Sequence, residues 1–451
     1  MDTKKTRRVV TPNIKILIGF ALIILIGTLL LMLPISASDM HSIGFVNALF
    51  TSTSCVCVTG LSVVDTAITF SIFGKIVMLL LIQVGGLGIV TLTSFVFLLI
   101  GKKINLNNRI TIQESLNKDS IQGVVKFIKK VIIVTLAIEA IGAIMLLYSC
   151  INITHSVWYG IFCAIFLSVA SFCNAGFDTL GMTNIQFASL TPYATNTLLL
   201  LPIMFLIVLG GIGFVILLNH KKQNRQHVRV VLYTTLALLL IGFATTLIFE
   251  WNNPNTIGNM NVWNKIVNSL FQSVTARTAG FASIDQNALT AETKIVTMLL
   301  MFIGASPNST GGGIKTTTLF VLLLFMFRHT NENGDINLRK RRVSGKIIQK
   351  ALRIILYAIF VTAIGASLIR IFEGNNVPID SILFECISAI STTGLSTGIT
   401  PTLSIASKTI LIVLMYVGRV GLTTVALAIV PKNTTNRSEE HTSELQSRPH
   451  I

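Results

Sequence analysis

Four stretches of this chain could bind a metal cation without using any metal-ligating side chain. They are "FTSTSCVCVTGLSVVD" around Gly60, "FLSVASFCNAGFDTLG" around Gly176, "FQSVTARTAGFASID" around Gly280 and "FECISAISTTGLSTG" around Gly394. Each carries a phenylalanine nine or ten residues before its glycine, small or hydroxylated residues between, Thr or Ala just before it, and Leu or Phe just after. Backbone carbonyls turned toward a common axis can replace a cation's hydration shell. Glycine suits such a place because the backbone angles required are ones that a Cβ disfavours. The carbonyls in question are those of Val58, Thr59 and Gly60; Asn174, Ala175 and Gly176; Thr278, Ala279 and Gly280; and Thr392, Thr393 and Gly394. A single such glycine would be explained by close helix packing. Four in register, 116, 104 and 114 residues apart, read instead as an internal repeat.

The elements that must position these stretches are apolar helices. Hydrophobic residues make up 52% of the 451 and charged residues 12%, against about 25% charged in a soluble domain; mean hydropathy is +0.75. Apolar runs recur at 14–34, 76–100, 131–150, 194–218, 230–249, 295–304 continuing at 319–327, 351–372 and 409–430. Each is long enough to cross the hydrocarbon of a bilayer as a helix. The first run follows the basic "MDTKKTRRVV" without a small-residue cleavage site, so it reads as a retained helix. The expected fold class is an all-α polytopic membrane protein of eight transmembrane helices. Four re-entrant pore helices, one per glycine stretch, surround a pseudo-fourfold central pore. Non-helical backbone at membrane depth is tolerated there because it is buried in protein or lines a cavity.

The formal charge of +17 could suggest nucleic acid, but its distribution sets topology instead. Basic residues cluster at 4–8, 102–109, 126–130, 221–229, 328–353 and 432–437, while the connections near 35–45, 150–158, 250–264 and 373–380 are nearly free of them. This is the positive-inside pattern, with both termini cytoplasmic and the glycine stretches on the outer side. The organisation expected is a cytoplasmic N-terminus (1–13), repeats at 14–125, 126–227, 228–345 and 346–437, and a tail at 438–451 whose abrupt polar composition reads as disordered or non-native.

Cys55, Cys57, Cys150, Cys163, Cys173 and Cys386 form no CxxC pair and read as small buried side chains. No HExxH, Walker A or nucleophile-elbow signature occurs, so an enzyme is not expected and no cofactor is expected in this chain. Asp65, Asp178 and Asp285 follow their glycines closely and could focus cations at the mouth or be solvated loop acids. Glu139 lies mid-span without an evident partner.

The second spans carry Gly85-Gly86-Leu87-Gly88, Gly210-Gly211-Ile212-Gly213 and Gly418-Arg419-Val420-Gly421, which suit tight helix crossings and could allow bending. Only the third second span is expected to be broken, by Ser306, Pro307, Asn308, Ser309, Thr310, Gly311, Gly312 and Gly313, with Lys315 just beyond. A broken helix is tolerated at that depth where it lines a cavity. Arg419 lies in an apolar span, where a charge needs water or a partner, and the glycine-rich face that carries it should be the axial one.

The single-chain plan of four helix–loop–helix units with one glycine each resembles the Trk/Ktr/HKT superfamily of potassium transporters. The wording of "TARTAGF" and "GASPNSTGGGIKTTT" is most similar to its KtrB-type membrane subunits, over about residues 12–437. The resemblance implies potassium bound by the carbonyls of the four glycine stretches, and an intramembrane gating loop at 306–313 acting with Arg419. In that superfamily a serine in the first loop accompanies sodium transport, so glycine at all four positions implies potassium preference. It further implies a homodimer in the plasma membrane on a cytoplasmic KtrA-type ring that alone binds nucleotide, with sodium as activator. The alternatives are an alternating-access symporter, which commonly shows inverted repeats rather than parallel ones, and a sodium-conducting member of the same superfamily.

Overall fold

The computed structural model describes residues 12–88, 124–181, 186–218, 225–328, 334–338 and 341–421. The expected basic cluster at 102–109, the ends of the apolar runs at 89–100 and 422–430, the start of the N-terminal segment and the 438–451 tail lie outside the described residues. Four long helices are apolar enough to cross a membrane by themselves: α1 (Pro12–Met32), α5 (Val124–Thr154), α9 (Arg225–Glu250) and α13 (Gly345–Glu373). Only 28–33% of the most apolar window in each is buried inside the protein. Side chains such as Leu22, Ile144, Leu240 and Phe360 therefore point outward. An apolar face that large is stable only against lipid.

Each long helix packs against a shorter one that follows it: α2 (Phe45–Val56), α6 (Val157–Cys173), α10 (Val262–Thr275) and α14 (Ile379–Ser391). The short helices anchor themselves through the phenylalanines of the four stretches. Phe50, Phe166, Phe271 and Phe384 have no solvent exposure. Two residues on, a serine hydroxyl donates to the long helix. Ser52 reaches the Ile24 carbonyl (2.7 Å), Ser168 the Glu139 carbonyl (2.6 Å) and Ser273 the Leu239 carbonyl (2.7 Å). Cys386 occupies the matching place in the fourth stretch. One turn further along the long helices stand Gly27, Gly142 and Gly242, where an added Cβ would collide with these same serine hydroxyls and with Leu81, Leu206 and Leu300. Gly365 faces Leu414 in the same way. The helices approach so closely that only hydrogen atoms fit between them.

After the one-turn α3 (Thr66–Thr69), which Asp65 caps, a third set of helices completes the pattern: α4 (Ile72–Leu87), α7 (Thr197–Ile212), α11 (Ala291–Phe302) and α15 (Ile405–Val420). Their starts are legible residue by residue. Ser71, Asn196, Thr290 and Ser404 each accept a hydrogen bond from the backbone N–H three residues on, satisfying a donor that the first helical turn leaves free. Their ends depart from expectation. The runs at 76–100, 194–218 and 409–430 are not continuous helices. α4, α7 and α15 stop at Gly88, Gly213 and Gly421, whose φ values of 82°, 99° and 97° lie in the region that glycine tolerates best. After Gly213 a short helix, α8 (Phe214–Leu218), resumes. The interruption is thus shared by all four second spans; what distinguishes the third is the length of its break, from Ile303 to α12 (Thr316–Phe327).

The described chain is mostly helical. Its extended pairings are an isolated antiparallel bridge between Ala37 and Phe70 and the antiparallel pair β1 (Ile336–Leu338) with β2 (Arg341–Val343), inside the basic connection before α13. All six cysteines are free and buried. Glu139, for which the sequence offers no partner, receives a hydrogen bond from the Gln83 amide at 3.2 Å.

Candidate functional site: a glycine ring with a broken helix packed against it

The segments after the four short helices meet at one point. A Cβ built on Gly60 would lie 2.6 Å from the Ala175 carbonyl oxygen, and one on Gly176 would lie 2.8 Å from that of Ala279. One on Gly280 would strike the Thr393 carbonyl, and one on Gly394 the Thr59 carbonyl. Each glycine therefore faces the carbonyl just before the next glycine, and the sequence of contacts closes on itself. Eight of the twelve expected residues make these contacts: Thr59, Gly60, Ala175, Gly176, Ala279, Gly280, Thr393 and Gly394.

Backbone conformation supports the same geometry. Two residues before each glycine, Val58, Asn174, Thr278 and Thr392 have φ of 56°, 58°, 66° and 51°. The glycines follow at 96°, 66°, 84° and 92°. Left-handed φ is uncommon for residues with a Cβ, and most uncommon for the β-branched Val and Thr, yet the same alternation occurs four times. Alternating backbone handedness can turn successive carbonyls to the same side. The local fastenings differ, however. Hydroxyls of Ser54 and Ser388 accept from the N–H groups of Gly60 and Gly394 (3.1 and 3.0 Å), whereas in the third stretch Thr275 donates to the Phe281 carbonyl (2.6 Å).

The fourth stretch has a fastening that pattern reading missed. The carboxylate of the buried Glu385 on α14 accepts from Ser396 Oγ (2.7 Å), Thr397 N (2.9 Å) and Thr400 Oγ1 (2.7 Å). It ties the segment leaving Gly394 to the short helix that leads in. Gln272 holds the corresponding place on α10, in a reciprocal amide pair with Gln286 (2.7 and 3.1 Å). The residue after each motif phenylalanine carries the signal, but its change from Thr51 and Leu167 to Gln272 and Glu385 hides it.

The break after α11 lies against the ring. Ser306 N donates to the Gly211 carbonyl (3.0 Å), Thr310 N to the Gly210 carbonyl (3.3 Å) and Thr310 Oγ1 to the Phe172 carbonyl (3.0 Å). Phe214 N donates to the Asn308 carbonyl (2.9 Å), and a Cβ on Gly213 would lie 2.6 Å from the Pro307 carbonyl oxygen. Ser309 closes a local turn onto the Ser306 carbonyl (2.6 Å). Gly311 and Gly312 press against the side chains of Thr278 and Thr392, and Gly313 (φ 67°) packs on Gly304. Lys315 Nζ donates back to the Gly311 carbonyl (2.7 Å), so it braces the loop. Arg419 bridges two carbonyls, those of Thr310 in the loop and Gly85 on α4. The expected gate residues are thus gathered at one place, between three second-span helices.

The acids near the mouth have defined tasks. Asp65 accepts from Ala67 N (2.9 Å), Ile68 N (3.3 Å) and, across to the connection that follows the second stretch, Phe187 N (2.7 Å). Asp178 and Asp285 accept from Leu180 N (3.2 Å) and Asn287 N (2.9 Å). These contacts make them turn and cap residues.

A polytopic helical scaffold that gathers four glycine loops around one point is the architecture of a membrane cation-conducting protein. The comparison with known families agrees: the model for TrkH, described as a cation transport protein, matches residues 1–223 and 226–438. The chain belongs to this Trk/Ktr family, whose members are ion transporters and not enzymes. It is 38% identical over 432 residues to the Ktr system potassium uptake protein B of Bacillus subtilis, covering 94% of each chain. It is 36% identical over 446 residues to the potassium/sodium uptake protein NtpJ of Enterococcus hirae, covering 97% of this chain and 96% of that one. The crystal structure of the potassium transporter TrkH from Vibrio parahaemolyticus shares the fold, with a TM-score of 0.71 at 16% identity over 96% of this chain and 87% of that one.

Proposed function

We propose that this protein takes up potassium across the plasma membrane through the glycine ring, and that the loop at 306–313 gates the passage. The repeats at 14–125, 126–227, 228–345 and 346–437 each contribute a long helix, a re-entrant pore helix and a second span. This reading has eight transmembrane helices around a pseudo-fourfold pore, with both termini cytoplasmic. The observation that carries it is the closed sequence of contacts in which each glycine meets the carbonyl preceding the next one. An alternating-access symporter has no need of such a ring.

Potassium preference follows from glycine at all four positions and accords with the names of the Bacillus and Enterococcus relatives. By the same likeness the chain is the membrane subunit of a Ktr-type system. It works as a homodimer on a KtrA-type nucleotide-binding ring, with sodium stimulating uptake and no cofactor of its own. Flux into proteoliposomes, comparing potassium, rubidium and sodium, tests the reading. Potassium and rubidium should enter well ahead of sodium. Equal entry of all three, or sodium alone, would reject the assignment of the ring as a potassium filter.

A further inference from the structure

Three residues before the ring glycines stand Cys57, Cys173, Arg277 and Ser391. The third stretch alone carries a cation at that place. Arg277 is 8% exposed, and its Nε–H finds no acceptor among the described residues. No carboxylate among them answers its charge, since the ion pair they hold is that of Lys294 with Asp380. The C-terminal end of α10, just before it, offers only about half an elementary charge. A charge held away from water without a full partner is costly. Arg277 lines a narrow cleft, and so does Thr235 of α9. The Thr235 hydroxyl is buried and also lacks a partner among the described residues. The walls between them are the apolar Ile207, Val208, Leu239 and Val274. Two donors thus share a space that suits one occupant near the size of a water molecule. Val208 and Leu239 are only half-buried, so they can give by the little that a chloride exceeds water.

We propose that Arg277 and Thr235 bind one small monovalent anion, of the chloride class, in this cleft behind the third stretch. A halide brings the single negative charge that the guanidinium lacks and accepts from both donors at once. Water would accept the same bonds and leave the charge uncompensated, and a sulfate or phosphate, with four oxygens, exceeds the space. The apolar walls strengthen the attraction by keeping the local dielectric low, and a hydrogen bond between two ions is among the strong ones. Lys315 and Arg419, the other cations near the loop, are instead held by backbone carbonyls. Arg277 directly precedes Thr278, so its bare charge repels a cation in the ring, and the bound anion offsets that repulsion. Anion and potassium are therefore coupled, each raising affinity for the other by the same factor. The anion site stands apart from the reading of the ring as a filter, and its coupling to potassium rests on that reading.

Crystals of the full-length protein grown with potassium bromide test the site directly. An anomalous bromide peak should lie within hydrogen-bond distance of Arg277 Nε and Thr235 Oγ1, and should vanish in Arg277→Gln. Uptake into proteoliposomes tests the coupling, at equal potassium and equal ionic strength. Half-saturating potassium should rise about fivefold when gluconate replaces chloride, the low end of couplings between two sites. Thr235→Val should shrink that difference and Thr235→Ser restore it, which keeps the test decisive even where Arg277→Gln fails to fold. Absence of bromide between Arg277 and Thr235, in crystals that hold bromide elsewhere, would overturn the site. Bromide there with equal half-saturation in both anions would mark an adventitious ion only and overturn the coupling. If potassium entered in neither anion, the filter reading would fall, and the bromide density would still decide the site.

Discussion

The guanidinium of Arg419 hydrogen-bonds the backbone carbonyl of Thr310, a residue 109 positions earlier, and through its other nitrogen reaches the carbonyl of Gly85. One side chain thus ties the broken third span to the first and fourth. Hydrogen bonds from a charged donor each contribute about 1.5–3 kcal/mol, so this tie is strong enough to decide where the loop rests. Replacing Arg419 by Ala should raise basal potassium flux about tenfold, the effect of shifting a closed–open balance by ~1.4 kcal/mol. Tracer uptake without the cytoplasmic partner measures it. Flux at or below the parent in well-folded protein would mean that the arginine does not hold the loop shut.

Removing Ser306–Gly312 takes away the obstruction as well as its anchor. Basal flux should exceed that of Arg419→Ala, and uptake should depend less on the cytoplasmic partner. Parent-like flux and partner dependence in the deletion protein would make the stretch a mere structural break and place the gate elsewhere.

Gly394 has φ 92°, and an added Cβ would strike the Thr59 carbonyl of the neighbouring stretch. Gly394→Ser and Gly60→Ser should therefore displace ring carbonyls, lowering preference for potassium over sodium and weakening uptake at low potassium while the protein still inserts. Competition between the two ions for uptake reads this directly. Retained selectivity in several of the four glycine positions would remove the ring from the selectivity mechanism.

Gly142 sits where a Cβ would meet Ser168 Oγ at 2.5 Å and Leu206 at 2.7 Å. Gly142→Val should destabilise the protein by about 1–3 kcal/mol through overpacking, seen as a lower melting temperature in detergent. A matching change at Gly88, where an added Cβ meets nothing within 4 Å among the described residues, should act through backbone strain at its φ of 82°. Equal stability of parent and Gly142→Val would show that the helices can separate at little cost.

Glu385 accepts four hydrogen bonds from Ser396, Thr397 and Thr400. Glu385→Gln keeps the shape but gives up acceptors, so the segment after Gly394 should loosen. The expected outcome is reduced potassium-over-sodium preference, with maximal flux less affected. A proportional loss of flux at constant preference would assign Glu385 to folding instead.

Much of this architecture is legible along the chain. The long helices are visible because lipid demands unbroken apolar runs, and the four ring glycines because each carries its own local pattern. The second-span stops at Gly88, Gly213 and Gly421 were visible as letters but not as breaks. An apolar run looks the same whether or not one glycine within it adopts a positive φ. Gly27, Gly142, Gly242 and Gly365 were harder still, since a lone glycine in an apolar helix acquires meaning only from the serine and leucine that pack on it.

What the sequence determined by itself is local: which segments favour lipid and which residues can turn their carbonyls. Each of these depends on the chemistry of a few consecutive residues. Only the tertiary structure decided the relations between distant segments. It set Gly60 against Ala175, Glu139 beside Gln83, and Arg419 on Thr310. Such pairings are fixed by how helices pack around a shared centre, and a carbonyl oxygen, identical at every residue, leaves no mark in the sequence to show which partner it will meet.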